Sequence, residues 1–139
     1  MRKTLAVLIC LLVCLAVTIP LEAQQRAANA TAADPLSGTW TGDWGPSERD
    51  RNQVTVELKL NGNTLTGTVK STQPARPDVT LQKSTYTAAT MAVHMEADST
   101  SPRGGQAVHF VIDGKLSGNT MTGSWNHDTT KGDFKLTKK

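Results

Sequence analysis

LNGNTLTGT, Leu60–Thr68, is written again further down the chain as LSGNTMTGS, Leu116–Ser124. Ahead of the first copy Val54, Val56, Leu58 and Leu60 alternate with Thr55, Glu57 and Lys59, a period of two that marks a half-buried strand. Asn61-Gly62 is the dipeptide that a type I′ hairpin turn favours, because both central residues need φ > 0. Pairing across that turn sets Leu58 opposite Leu65, Val56 opposite Gly67 and Val54 opposite Val69, with the apolar side chains on one face. The second copy, turning at Ser117-Gly118, sets Ile112 opposite Gly123, Phe110 opposite Trp125 and Val108 opposite His127. A looser third copy, Tyr86-Thr87-Ala88-Ala89-Thr90-Met91-Ala92, lies between them. Duplication of a hairpin and convergence of similar hairpins both account for the repeat.

Carried outward from these hairpins, the alternation predicts eight strands, over 36–44, 52–60, 64–72, 78–86, 90–98, 106–116, 120–127 and 132–138. Short connections join them, and such a meander closes into an all-β, eight-stranded antiparallel up-and-down barrel with no exposed edge. A two-sheet sandwich is the competing architecture. Leu36, Gly38, Trp40, Gly42 and Trp44 share one face of the first strand. Inward glycines at 38, 42, 67 and 123 would allow tight bends and make room for the tryptophans. Trp40, Trp44, Trp125, Phe110, Met91, Met95 and Met121 are the large inward side chains expected to fill much of the interior.

The N-terminus reads differently. Arg2 and Lys3 precede an apolar run over Leu5–Ile19 and a small, polar exit ending at Ala23. A run of that length falls short of the roughly 20 residues that cross a bilayer, so residues 1–23 are expected to be a secretory signal peptide and the protein to be periplasmic or secreted, in a bacterium. Both cysteines, Cys10 and Cys14, lie inside it, which leaves the rest of the chain without thiolate or disulfide chemistry. Residues 24–35 are expected to form a flexible leader, and 36–139 a single domain. Loss of 1–23 leaves 13 basic and 11 acidic side chains, a balance of +2. That is too weak for a nucleic-acid partner, and once the signal is removed nothing predicts membrane attachment.

Leu36-Ser37-Gly38-Thr39-Trp40 resembles the Gly-x-Trp first strand of the calycins, the superfamily of lipocalins, fatty-acid-binding proteins and avidins. With Leu65-Thr66-Gly67-Thr68 it looks especially like the start of avidin-type barrels, and Trp40-Thr41-Gly42 is similar to the first motif of nitrobindin-like haem barrels. The chain resembles most the small exported bacterial barrels of unassigned role. The resemblance gives Gly38 and Trp40 a structural role in the first strand and suggests that Lys138 packs over Trp40, while Gly67, Gly123 and Trp125 are structural on the alternation alone. It carries over no biotin or haem site, so no cofactor is expected.

In such a barrel the three repeats close one end and the longer loops collect at the other. Arg49, Arg51, Arg76 and Arg103 lie on the loops of that second end, where Trp44 and inward-facing His127 finish their strands. Trp44, His127, Arg49, Arg76 and Arg103 therefore form the expected ligand site, a mouth for a small molecule with an apolar body and an anionic end. Acidic neighbours such as Glu48, Asp50 and Asp128 offer the alternative of weak surface pairs. His94 and His109, read as opposite one another on the outer face with Glu96 close by, are the only candidate metal ligands, suited to Zn²⁺ or Cu²⁺. No nucleophile elbow, phosphate loop or inward carboxylate pair is present, so a non-catalytic, monomeric binder is expected. The rival is a protein-binding barrel, such as an envelope protease inhibitor working through residues 24–35.

Overall fold

The computed structural model describes residues 34–100 and 105–139. The expected signal peptide, residues 24–33 of the leader, and Arg103 lie outside that range. Among the described residues nine strands form one antiparallel sheet: β1 (Gly38–Ser47), β2 (Asp50–Asn61), β3 (Thr64–Gln73), β4 (Val79–Thr80), β5 (Thr85–Thr87), β6 (Ala92–Thr100), β7 (Ala107–Ser117), β8 (Thr120–His127) and β9 (Thr130–Lys138). Each neighbours the next in chain order, except that β3 meets both β4 and β5, and β9 returns to pair with β1. The sheet is thus a closed up-and-down barrel of eight strand positions, the fold that the calycin resemblance implies, with the fourth position filled by two short pieces.

Why the fourth strand breaks can be read from its parity. Val79 and Leu81 point inward at odd positions, whereas the buried pair Ser84 and Tyr86 are at even ones. A strand whose inward set changes parity must insert a residue. The break at Gln82-Lys83 does so, with Leu81 N bonded to Gly67 O on one side and Gln82 N to Glu96 O on the other.

The two repeated hairpins turn one residue later than Asn61-Gly62 and Ser117-Gly118. Asn61 pairs with Thr64 and Ser117 with Thr120, which leaves Gly62-Asn63 and Gly118-Asn119 as the two-residue loops. Only the glycine of each has φ > 0, at 62° and 58°, the pattern of a turn with glycine at its first central position. Leu58 consequently faces Gly67, Val56 faces Val69, and Ile112 rather than Phe110 faces Trp125. The register moves by two, so every side chain keeps its face. The third copy is no two-residue hairpin: Thr87 pairs with Ala92 around a four-residue turn. There Met91 adopts φ 56° and is 49% exposed, so it does not enter the interior as its alternation suggests.

Trp40 anchors the closed end. Its ring is fully buried beside Leu36, Leu65 and Met121, and its Nε1 donates to Leu36 O at 2.8 Å. Lys138 Nζ lies 5.8 Å from the Trp40 ring centroid and donates to Pro35 O at 3.1 Å. Asp34 caps the segment by accepting from the backbone N–H groups of Leu36 and Ser37. Asp34 and Pro35, assigned by sequence to the leader, are thus tied to the barrel.

Candidate functional site

The opposite end is hollow. Strands β1 and β2 run on to a two-residue turn at Glu48-Arg49, and β8 and β9 to one at Asp128-Thr129, so only the connections after β3 and β6 are long. The mouth is less rich in loops than the sequence suggests, because β1 runs on to Ser47, β2 begins at Asp50 and β9 begins at Thr130. Behind it an inner chamber of about 120 Å³ is walled by Val54, Val56, Val69, Leu81, Met95 and Ile112, among others. An outer vestibule of about 160 Å³ is walled by Pro46, Asn52, Thr100, Val108 and His127. Trp44, Arg76, Ser99, Phe110 and Trp125 line both spaces.

The boundary between the two is aromatic. Trp44 meets Trp125 edge to face at 4.9 Å and Phe110 at 6.0 Å between ring centroids. His127 lies 4.7 Å from Phe110 and stacks on Trp125 at 5.8 Å. Such edge and offset contacts hold rings rigidly, and Trp125 Nε1 is further fixed to Asp133 O at 3.2 Å. Among the described residues no buried side-chain N or O lacks a partner. The inner wall is mostly apolar, with Ser71, Arg76 and Ser99 as its polar members, while the vestibule adds His127 and Asn52.

Of the residues expected to make the mouth, Trp44, Arg76 and His127 come together. Arg49 sits exposed at the tip of the β1–β2 turn and is not among the residues lining either space. Arg51 is committed elsewhere: its guanidinium pairs with Asp43 and Asp133, each at 2.5 Å. Asn52 and Ser99 were not singled out from sequence. The signal for both was present, since 52 continues the inward set Val54, Val56, Leu58, and 99 continues Val93, Met95, Ala97.

His94 and His109 are not opposite one another. β6 and β7 pair in another register, with Thr100 opposite Ala107, so His94 pairs with Asp113 and His109 with Asp98. The result is an outward row in which His94 Nδ1 lies 2.7 Å from Asp113, His109 Nδ1 lies 2.7 Å from Asp98, and Glu96 sits between their Nε2 atoms at 3.4 and 3.6 Å. Among the described residues no three His, Cys, Asp or Glu side chains are placed to hold a metal ion.

The hydrogen bond to Asp113 raises the His94 pKa above its ordinary value, with Glu96 adding to it and partial burial opposing. A raised folded pKa means stabilisation that is complete below the unfolded value of about 6.5 and is lost as pH rises through the folded one. Solvent screening keeps it below about 1 kcal/mol. Stability measured by denaturant unfolding is therefore expected to fall as pH rises from 6.5, and His94→Gln to flatten that fall. An unchanged slope in His94→Gln would remove His94 as its origin.

The fold and the hollow together define a small closed β-barrel with an apolar chamber opening through a polar mouth. No protein-family model matches the chain, and no curated protein is similar to it in sequence. Among solved structures, the apo form of lipid binding protein 8 from Caenorhabditis elegans is similar at 12% identity with a TM-score of 0.46, over 78% of this chain and 98% of that one. That degree of likeness transfers no ligand. No helix of the described residues is long and apolar enough to cross a membrane, which leaves spanning by strands unaddressed.

Proposed function

We propose that the protein is an exported, non-catalytic carrier or sensor of a small amphipathic molecule, bound with its apolar part in the inner chamber and an anionic end at the mouth. The observation that supports it is the sharing of Arg76 between chamber and vestibule: one cation borders an apolar hollow beside His127. Burial of apolar ligand surface supplies affinity at roughly 25 cal/mol per Å², and the guanidinium selects a carboxylate, sulfate or phosphate end. Export rests on the signal-like residues 1–23, and a monomer on the return of β9 to β1 that closes the barrel.

Titration with octanoate, followed by tryptophan fluorescence, tests the assignment because Trp44 and Trp125 border the chamber. Arg76→Gln is expected to weaken binding about tenfold, the loss of one charge-assisted contact at a partly solvated site. Arg49→Gln is expected to leave it unchanged. Equal affinity in the wild type and Arg76→Gln would contradict the proposed position of the anionic end.

A further inference from the structure

The size of the inner chamber limits what the buried part of a ligand can be. An apolar cavity of about 150 Å³ accommodates one benzene molecule, and the chamber here measures about 120 Å³. A space of this order takes about one six-membered ring, or a similar number of carbons, before further ligand atoms lie in the adjoining vestibule. At its boundary with the vestibule Trp44, Phe110 and Trp125 pack on one another, with centroids 4.9 to 6.0 Å apart, and line both spaces. Rings that already meet edge to face offer a flat guest further edge and face contacts. A long alkyl chain gains nothing equivalent, because its methylenes beyond the chamber would lie among the polar groups of the vestibule and in water.

The fixed groups set the other end. Arg76 borders both the chamber and the vestibule, and His127 borders the vestibule, so the anion follows the ring after a short linker. Taking the proposed binding site as given, we infer that its ligand class is small monocyclic aromatic acids: one ring in the chamber beside Trp44, Phe110 and Trp125, and a carboxylate or similar anion on a linker of a few atoms against Arg76. Asn52 and Thr100 supply hydrogen-bonding groups at the same level and suit an acid bearing a further polar group near its anion.

Calorimetric titration with 3-phenylpropionate, 3-phenylpropionamide and hexadecanoate tests this class. The acid is expected to bind one per barrel, at least about tenfold more tightly than either the amide, which has its shape without its charge, or hexadecanoate. Ala97→Leu, which adds volume to the chamber wall, is expected to abolish binding of the acid. Tighter binding of hexadecanoate, equal binding of the amide, or undiminished binding by folded Ala97→Leu each overturns the inference. The first of these would leave the chamber standing as a binding site. Absence of heat and of any tryptophan fluorescence change with all three ligands, up to about 10 mM, would remove the binding site as well.

Discussion

Trp40→Ala is expected to cost the barrel about 3–5 kcal/mol, the range for truncating a buried tryptophan. The side chain is fully buried, so the substitution opens a void at the packed end that Leu36, Leu65 and Met121 cannot collapse into while their strands remain paired. It also strands Leu36 O, which accepts the indole N–H, and removes the surface on which Lys138 rests. In a domain whose total stability is about 5–15 kcal/mol, the melting temperature should fall by more than about 12 °C. Trp40→Phe separates the contributions: it keeps most of the apolar area and should lose only the hydrogen bond, about 1–3 kcal/mol. A loss below about 1 kcal/mol for Trp40→Ala would mean that the closed end is not held by this ring.

The second large effect is predicted at Gly123. It faces Gly114 across β7 and β8, and a Cβ there would lie 2.0 Å from Asp113 O and 2.5 Å from Gly114 Cα. Both are backbone atoms of the neighbouring strand, so no side-chain rotation relieves the clash. Gly123→Ala is expected to cost about 3 kcal/mol, the upper part of the range for overpacking. Gly62→Ala is the contrasting substitution, because nothing lies within 4 Å of its Cβ and only its φ of +62° resists. That should cost about 1 kcal/mol. Thermal unfolding of the two variants measures the difference, and equal losses would contradict the tight approach of β7 and β8.

The two glycines also show how much of the molecule was legible in its sequence. The repeated Leu-x-Gly-Asn-Thr stretch specifies hairpins, and its alternation specifies which side chains point inward. Both readings survive the register difference because inward and outward sets depend on parity alone. The turn position was less legible, since Asn61-Gly62 and Gly62-Asn63 are both plausible turn dipeptides and the distinction rests on which residues take φ > 0. His94 and His109 depended on that same precision, and the β6–β7 register places them beside separate aspartates rather than opposite one another. The parity change between Leu81 and Ser84 was written in the sequence and marks the break in the fourth strand.

The site was legible by end of the barrel rather than by residue. Trp44, His127 and Arg76 follow from counting which strand ends and connections share the mouth. Whether a given mouth residue reaches the hollow depends on side-chain direction and on how far each strand runs. Arg49 stays outside because β1 and β2 extend to a tight turn. The hollow itself was invisible in the sequence. Trp40, Tyr86 and Met121 are buried in the closed half, whereas Trp44, Phe110 and Trp125 pack on one another at the wall of the other half and leave space beside Val54, Val56, Val69 and Ala97.

The division into a packed half and a hollow half makes the central claim that the hollow is kept for a guest. Native mass spectrometry of the protein purified from its own host addresses it most directly. The account predicts a population carrying one small acidic molecule per chain, displaced by added 3-phenylpropionate or octanoate. Protein that carries nothing from its host and forms no adduct with either acid would contradict it.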